Sequence, residues 1–444
     1  MATATKITSN LTLLDQLRAA RQITDRLFQV ARPEALYDRP IAERHRIIFY
    51  IGHLEAFDWN LFRGERTQLK SFHPGYDRLF AFGIDPVDGQ LPADQPQDWP
   101  SVADLNRFNQ RVRLELDGFL DSVSLDEPQR NDATPLPVLL HTAIEHRLMH
   151  AETLAYLFHR LPLGRKIPQQ QPDAASAEFS PRMVEIPTGT ATLGLRRDGQ
   201  HPFGWDNEFD AHPIDVPSFR VDKFMVSNGA YAQFVLDGGY SHPEFWVQPD
   251  WDWIHQQGIE QPAFWITQGN SWLYRGMFEH ISLPLDWPVY VSQAEARAYS
   301  RWAGKALPTE AQWHRAAYGQ PGGTESEFPS ALHEASIPIG NFDFVRWDAA
   351  PVASPVNNTS AYGAVGMLGN GWEWTSSQFE PFRGFQPFPF YPGYSANFFD
   401  GKHFVMKGGS PRTAALLLRK SFRNWFQPHY QCAYAGFRCV SSGD

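Results

Sequence analysis

Cysteine is scarce in this chain: Cys432 and Cys439 are the only two in 444 residues. Two thiols near one end cannot staple a chain of this length, which excludes a disulfide framework. Long apolar runs are also missing. None approaches the roughly 18 to 20 residues needed to span a bilayer, so no membrane-spanning helix is expected. Residues 1–10 are small and polar and lack the apolar centre of a secretion signal, so they read as a flexible tail. Lys and Arg do not cluster, and the net charge of −10 disfavours a nucleic-acid partner. These absences predict a cytoplasmic chain that engages neither nucleic acid nor membrane.

What is present suggests two domains, since one core rarely organises this length. Residues 11–163 read as a bundle of four helices. Leu14, Leu17, Ile23 and Leu27 recur at helical steps in the first, and Ile41 to about Arg63 forms the second. A loop rich in Pro, Gly and Asp covers 73–100. The third helix runs from about Val102 to Leu120, and the fourth from near Pro135 to just before Pro162. Residues 164–181 are polar and aperiodic and read as a linker. Residues 182–444 hold most of the 15 Trp, 15 Tyr and 33 Phe and show short alternating segments, such as Met183–Ile186 and Phe219–Phe224. Two capping boxes, Ser292 to Glu295 and Thr309 to Gln312, mark helix starts there.

The sharpest chemical signal is His146-Arg-Leu-Met-His150-Ala-Glu152 on the fourth helix. Four residues advance a helix by about 400°, so both imidazoles point the same way one turn apart. His141 and His159 lie about 180° from His150 and Glu152 about 200° away, so none of them can join the same ion from this helix. Glu152 is left as a supporting or packing residue. A third ligand must come from another element, and His53, beside Gly52 in the second helix, is the best candidate. Three histidines with an open position suit zinc or iron equally.

Three further motifs carry a resemblance. Leu307-Pro-Thr-Glu-Ala-Gln-Trp313, Gly366-Met-Leu-Gly-Asn-Gly-Trp-Glu-Trp-Thr375 and Ala435-Gly-Phe-Arg438 resemble the signatures of the formylglycine-generating-enzyme (sulfatase-modifying factor) fold, a C-type-lectin-like scaffold. That enzyme's copper-binding cysteine pair has no counterpart after Gly408-Gly-Ser410, so its activity is not expected. A DinB-like four-helix bundle followed by this domain, a mixed α plus α/β chain, resembles the ergothioneine-biosynthesis sulfoxide synthases over almost its whole length. Phe398-Phe-Asp-Gly401 and Ser421-Phe-Arg-Asn-Trp425 stand in the family order.

The resemblance implies Fe(II) held by His53, His146 and His150, O2 as co-substrate, and hercynine (trimethylated histidine) contacting Asn424 and Trp425. Sulfur or selenium would be joined to carbon 2 of its imidazole. It also implies a catalytic tyrosine, for which Tyr391 and Tyr394 are the candidates. The departures bear on the donor. Phe426 stands where users of γ-glutamylcysteine carry Asp, Met149 replaces a Gln, and the loop around His73 and Arg78 lacks their arginine pattern. A selenosugar donor, as in the selenoneine synthase branch, is therefore favoured over cysteine or γ-glutamylcysteine. The rival readings are a metal-dependent thiol transferase of the bundle superfamily and a lectin-like binding module without a metal.

Overall fold

The computed structural model describes residues 12–64, 67–82, 91–123, 134–174, 179–199, 201, 203–329, 339–354 and 358–443. The tail expected over residues 1–10 lies outside them. The chain divides into two compact units, Met1–Gln169 and Gln170–Asp444. No described helix is long and apolar enough to cross a membrane.

The N-terminal unit is helical: α1 (Leu13–Phe28), α2 (Ile47–Phe62), α3 (Pro74–Phe82), α4 (Val102–Ser122) and α5 (Leu136–Arg160). The side chains of Thr12 and Ser101 cap α1 and α4 by accepting the backbone N–H groups of Asp15 and Asp104. The four predicted helices are present, with two differences. The second begins at Ile47 rather than Ile41, because Arg46 is tied to the Tyr37 carbonyl and to Asp94, which holds the preceding backbone out of the helix. A short fifth helix, α3, occupies part of the stretch expected to be loop. Its Pro74 needs no N–H in a first turn, and its buried Asp77 accepts from Arg63 at 2.9 Å. Tertiary contacts thus outweigh a composition that reads as turn. Helix α5 is buried on nearly every side, which explains why its apolar pattern is broad.

The C-terminal unit follows in the order β1 (Met183–Ile186), β2 (Gly189–Leu193), β3 (His212–Val216), β4 (Phe219–Asp222), α6 (Asn228–Leu236), α7 (Gln248–Gln257), β5 (Trp265–Gln268), β6 (Ser271–Arg275), β7 (His280–Ser282), α8 (Gln293–Trp302), α9 (Glu310–Tyr318), β8 (Gly371–Gln378), β9 (Phe404–Gly409), β10 (Asn424–Phe426), β11 (Ala435–Gly436) and β12 (Val440–Ser442). Its main sheet runs β10-β9-β8-β11, and β1-β4-β12, β2-β3 and β5-β6-β7 form smaller ones. Both predicted capping boxes start helices, Ser292 at α8 and Thr309 at α9.

The three sequence motifs of this unit meet in one buried cluster. Trp313 Nε1 donates to Glu373 at 3.0 Å, and Arg438 Nε donates to the same carboxylate at 2.9 Å. The rest of the Arg438 guanidinium reaches the carbonyls of Lys223 and Val365, so this fully buried charge is paired throughout. Glu373 lies on β8 and Trp313 on α9, so the cluster locks the helix to the sheet.

Candidate metal centre

Helices α2 and α5 lie side by side in the N-terminal unit, tied by one arginine. Arg147 on α5 donates to Glu55 at 3.0 Å, to Asp58 at 2.7 Å and to the Leu54 carbonyl at 2.9 Å, all on α2. Burial alone would raise the Glu55 carboxyl, but the Arg147 and Arg113 guanidiniums beside it hold it below the ordinary carboxylate range. This link fixes the register of the two helices, and Arg147 is the neighbour of His146.

On the face opposed to α5, α2 carries His53. One ligand atom from each of His53, His146 and His150 lies within 4.8 Å of the others. His53 Nδ1 stands 2.6 Å from the Phe80 carbonyl, next to the end of α3. A carbonyl can only accept, so Nδ1 carries the proton and Nε2 is left with its lone pair. That Nε2 lies 3.3 Å from Nε2 of His150. Neighbouring nitrogen ligands at about 2.1 Å from one ion stand roughly 3.0–3.4 Å apart, so the spacing suits a shared cation. Among the described residues, His150 Nδ1 is buried without a hydrogen-bond partner.

Burial keeps all three rings neutral. It lowers His53 to about 4, and it takes His146 and His150 well below their ordinary value, helped by the neighbouring imidazoles. Aromatic packing orients two of the rings: Phe49 stacks on His53 at 4.7 Å and Phe57 on His146 at 3.4 Å. Three neutral imidazoles with one tautomer already set fit a divalent first-row metal, and iron is among the ions such ligands take. His141, His159 and Glu152 are buried but do not belong to this group. Met149 is half-buried beside His150, and Arg78 is exposed on α3.

The remaining sequence-derived candidates belong to the C-terminal unit. Asn424, Trp425 and Phe426 form β10, paired with Met406, Val405 and Phe404 of β9. Alternation along a strand puts Trp425 on one face and Asn424 and Phe426 on the other. Trp425 stacks on Phe379 at 4.0 Å and meets Phe398 and Tyr394, each at 5.6 Å. Tyr394 also stacks on Trp205 at 3.9 Å. Tyr391 lies 5.6 Å from Tyr394, and burial together with Asp206 pushes its hydroxyl up to about 12. Phe426 stacks on Tyr430 at 4.4 Å, so the position is filled by a packed ring.

Sequence reasoning missed Phe80, whose part is played by a backbone carbonyl and leaves no residue-type signal. It also missed Phe49 and Phe57, although these flank His53 at four-residue steps and could have been found by that spacing.

Comparison with known proteins places this arrangement. The DinB superfamily matches residues 16–154, and the Sulfatase-modifying factor enzyme 1-like domain matches residues 168–442. The chain therefore joins a DinB-type helical unit to a domain of the sulfatase-modifying-factor class. It is 33% identical to a hercynine oxygenase of Mycolicibacterium smegmatis, over 96% of this chain and 98% of that one. It is 31% identical to another from Mycolicibacterium thermoresistibile, over 96% and 94%. Ergothioneine biosynthesis protein 1 of Neurospora crassa is 28% identical over 93% of this chain, which spans 55% of that longer protein. The chain belongs to the hercynine oxygenase family of sulfoxide synthase type.

Proposed function

We propose that the protein is a non-heme Fe(II), O2-dependent enzyme that forms a bond from sulfur or selenium to carbon 2 of hercynine's imidazole, and that its donor is a selenosugar. The observation that carries the reading is the convergence of His53, His146 and His150 as neutral ligands, in a chain similar to hercynine oxygenases over nearly all its length. Held by these three residues, ferrous iron would supply the redox chemistry of O2 activation. The protein's own part is positioning. The Phe80 carbonyl holds the His53 ring, and Phe49 and Phe57 keep the imidazoles from turning. Trp425, with Phe379, Phe398 and Tyr394 around it, offers π faces suited to a trimethylammonium group. Tyr394 touches Trp425 and is the stronger candidate for managing a proton; Tyr391 lies behind it.

The choice of donor rests on Phe426. Its stack on Tyr430 presents aromatic surface where a charged donor's ammonium would need a carboxylate, and such surface suits a neutral sugar. The test is anaerobic reconstitution with Fe(II), then hercynine and O2 with a selenosugar, a thiosugar, cysteine or γ-glutamylcysteine offered separately. Mass spectrometry reads the adduct, and His150→Ala is the control. A C–Se adduct from the selenosugar alone is expected. An adduct from cysteine or γ-glutamylcysteine would make it a conventional sulfoxide synthase. No adduct from any donor, with iron bound, would overturn the reading.

A further inference from the structure

One buried charge in the C-terminal unit, that of Arg346, is only partly answered by the described residues. Arg346 is only 8% exposed, yet its Nε and Nη1 find no hydrogen-bond partner among the described residues. Buried guanidinium groups are ordinarily paired, because stripping their water without replacement is costly. Burial pushes this one below its ordinary value, and Asp348 and Asp173 pull it back through space.

The backbone on either side is fixed. Arg412 lies over the Trp347 ring at 3.8 Å and donates to the carbonyls of Phe344 and Arg346, each at 3.1 Å. The Gln171 side-chain carbonyl accepts the N–H groups of Trp347 and Asp348, and its amide donates to the Asp348 carboxylate at 3.2 Å. The Asp348 carboxylate also accepts the Met277 N–H at 2.9 Å. Arg346 is thus held in place while the Asp348 carboxylate accepts from Gln171 and Met277.

It is held at the junction of two cavities that share Asp173, Ala174, Arg346 and Pro351. The more open one, about 480 Å³, is also lined by Asp286 and Trp287. The inner one, about 250 Å³, is mainly apolar, with Met225, Val352, Val365 and Leu368 in its wall. We propose that this double cavity binds an α-amino acid with an apolar side chain, its carboxylate on Arg346, its ammonium toward Asp173 and Asp286, and its side chain in the inner chamber. A guanidinium edge matches a carboxylate in two parallel hydrogen bonds. A plain anion would meet the two aspartates, and a plain amine would leave Arg346 unanswered. Only a zwitterion satisfies both signs, and the apolar wall selects its side chain.

The test is calorimetric titration of the full, metal-loaded chain with L-leucine, with 4-methylpentanoate, which lacks the amine, and with 3-methylbutylamine, which lacks the carboxylate. Saturable binding of leucine is expected, with both analogues at least tenfold weaker. Arg346→Met should weaken leucine at least tenfold. Asp173→Asn, at an exposed position, should narrow the gap between leucine and 4-methylpentanoate, and it carries the test if the Arg346 variant does not fold. Absence of leucine binding to the unaltered protein would overturn the proposal. So would equal binding of the analogues, or leucine affinity indifferent to both substitutions.

Discussion

Gly52 precedes His53, and the packing around it explains why. A Cβ at residue 52 would lie 2.5 Å from the ring of Phe80, well inside contact distance. The same Phe80 supplies the carbonyl that fixes the His53 tautomer. The missing side chain therefore lets α3 close on α2 and aim one backbone oxygen. Gly52→Ala should force Phe80 outward, at a cost of about 1–3 kcal/mol for overpacking, partly offset by the better helix propensity of alanine. Loss of the carbonyl should lower metal affinity roughly 10- to 100-fold. Adding Phe80→Leu to Gly52→Ala should restore most of it by making room while keeping the carbonyl. Equilibrium metal titration with a competing chelator measures both. Unchanged affinity in Gly52→Ala would show that the Phe80 oxygen does not orient the ring. Gly52 was legible as a place where another element could come close to His53, but its partner was not, because that is a main-chain atom 27 residues away. The pair His146 and His150 was legible, because helical geometry alone places i and i+4 together.

Among the elements, α5 poses a puzzle that α2 resolves. It carries charged and polar residues although it is buried on nearly every side. His146 and His150 turn to His53, while Arg147 turns to Glu55 and Asp58 of α2 and lies 3.4 Å from Thr24 of α1. Arg147→Met would leave two carboxylates buried without their main cation. It should destabilise the N-terminal unit by about 3–5 kcal/mol, read from chemical denaturation. A loss below about 1 kcal/mol would mean that Arg21, 3.9 Å from Glu55 and 4.0 Å from Asp58, and Arg113, 2.6 Å from Glu55, suffice to hold the pair.

In the C-terminal unit, Glu208 accepts from Arg419 Nε at 2.8 Å, Ser421 Oγ at 2.6 Å and the Trp205 N–H at 2.8 Å. Burial would raise this carboxyl, but Arg419 and these donors hold it below the ordinary range. A folded-state value below the unfolded one contributes stability above about pH 4.3 that is lost as pH falls through the folded value. Glu208→Gln should therefore flatten the acid limb of the stability curve, measured by urea midpoints from neutral pH downward. An unchanged limb would assign the acid sensitivity to other carboxylates. The long helices and the two capping boxes were readable from periodicity and caps. Helix α3 was not, because Pro74, Gly75 and Asp77 carry turn chemistry locally and become helical only through contacts such as Asp77 with Arg63.

Over the whole molecule, the two halves of the proposed chemistry are written in different units. All three metal ligands and the Phe80 carbonyl fall within Met1–Gln169, and the aromatic group around Trp425 falls within Gln170–Asp444. The second unit was recognisable because Trp313, Glu373 and Arg438 must meet for it to fold, so their spacing is tied to the architecture. The gathering of rings on Trp425 was not, because Phe379, Tyr394 and Phe398 all lie on the long irregular segment between β8 and β9, where no periodicity says which side chains turn to it. This division has a measurable consequence. Trp425→Leu keeps apolar bulk but removes the largest π face of the group, so metal content per chain should stay at the wild-type level. Apparent hercynine affinity should weaken roughly tenfold, about 1.4 kcal/mol, as expected for one desolvated cation–π contact. His150→Ala should do the reverse at the first step, losing metal while leaving the thermal unfolding of the C-terminal unit unchanged. If Trp425→Leu lost metal as well, the two units could not be treated as separate contributors, and the ring group would have to be assigned a part in holding the ion's ligands.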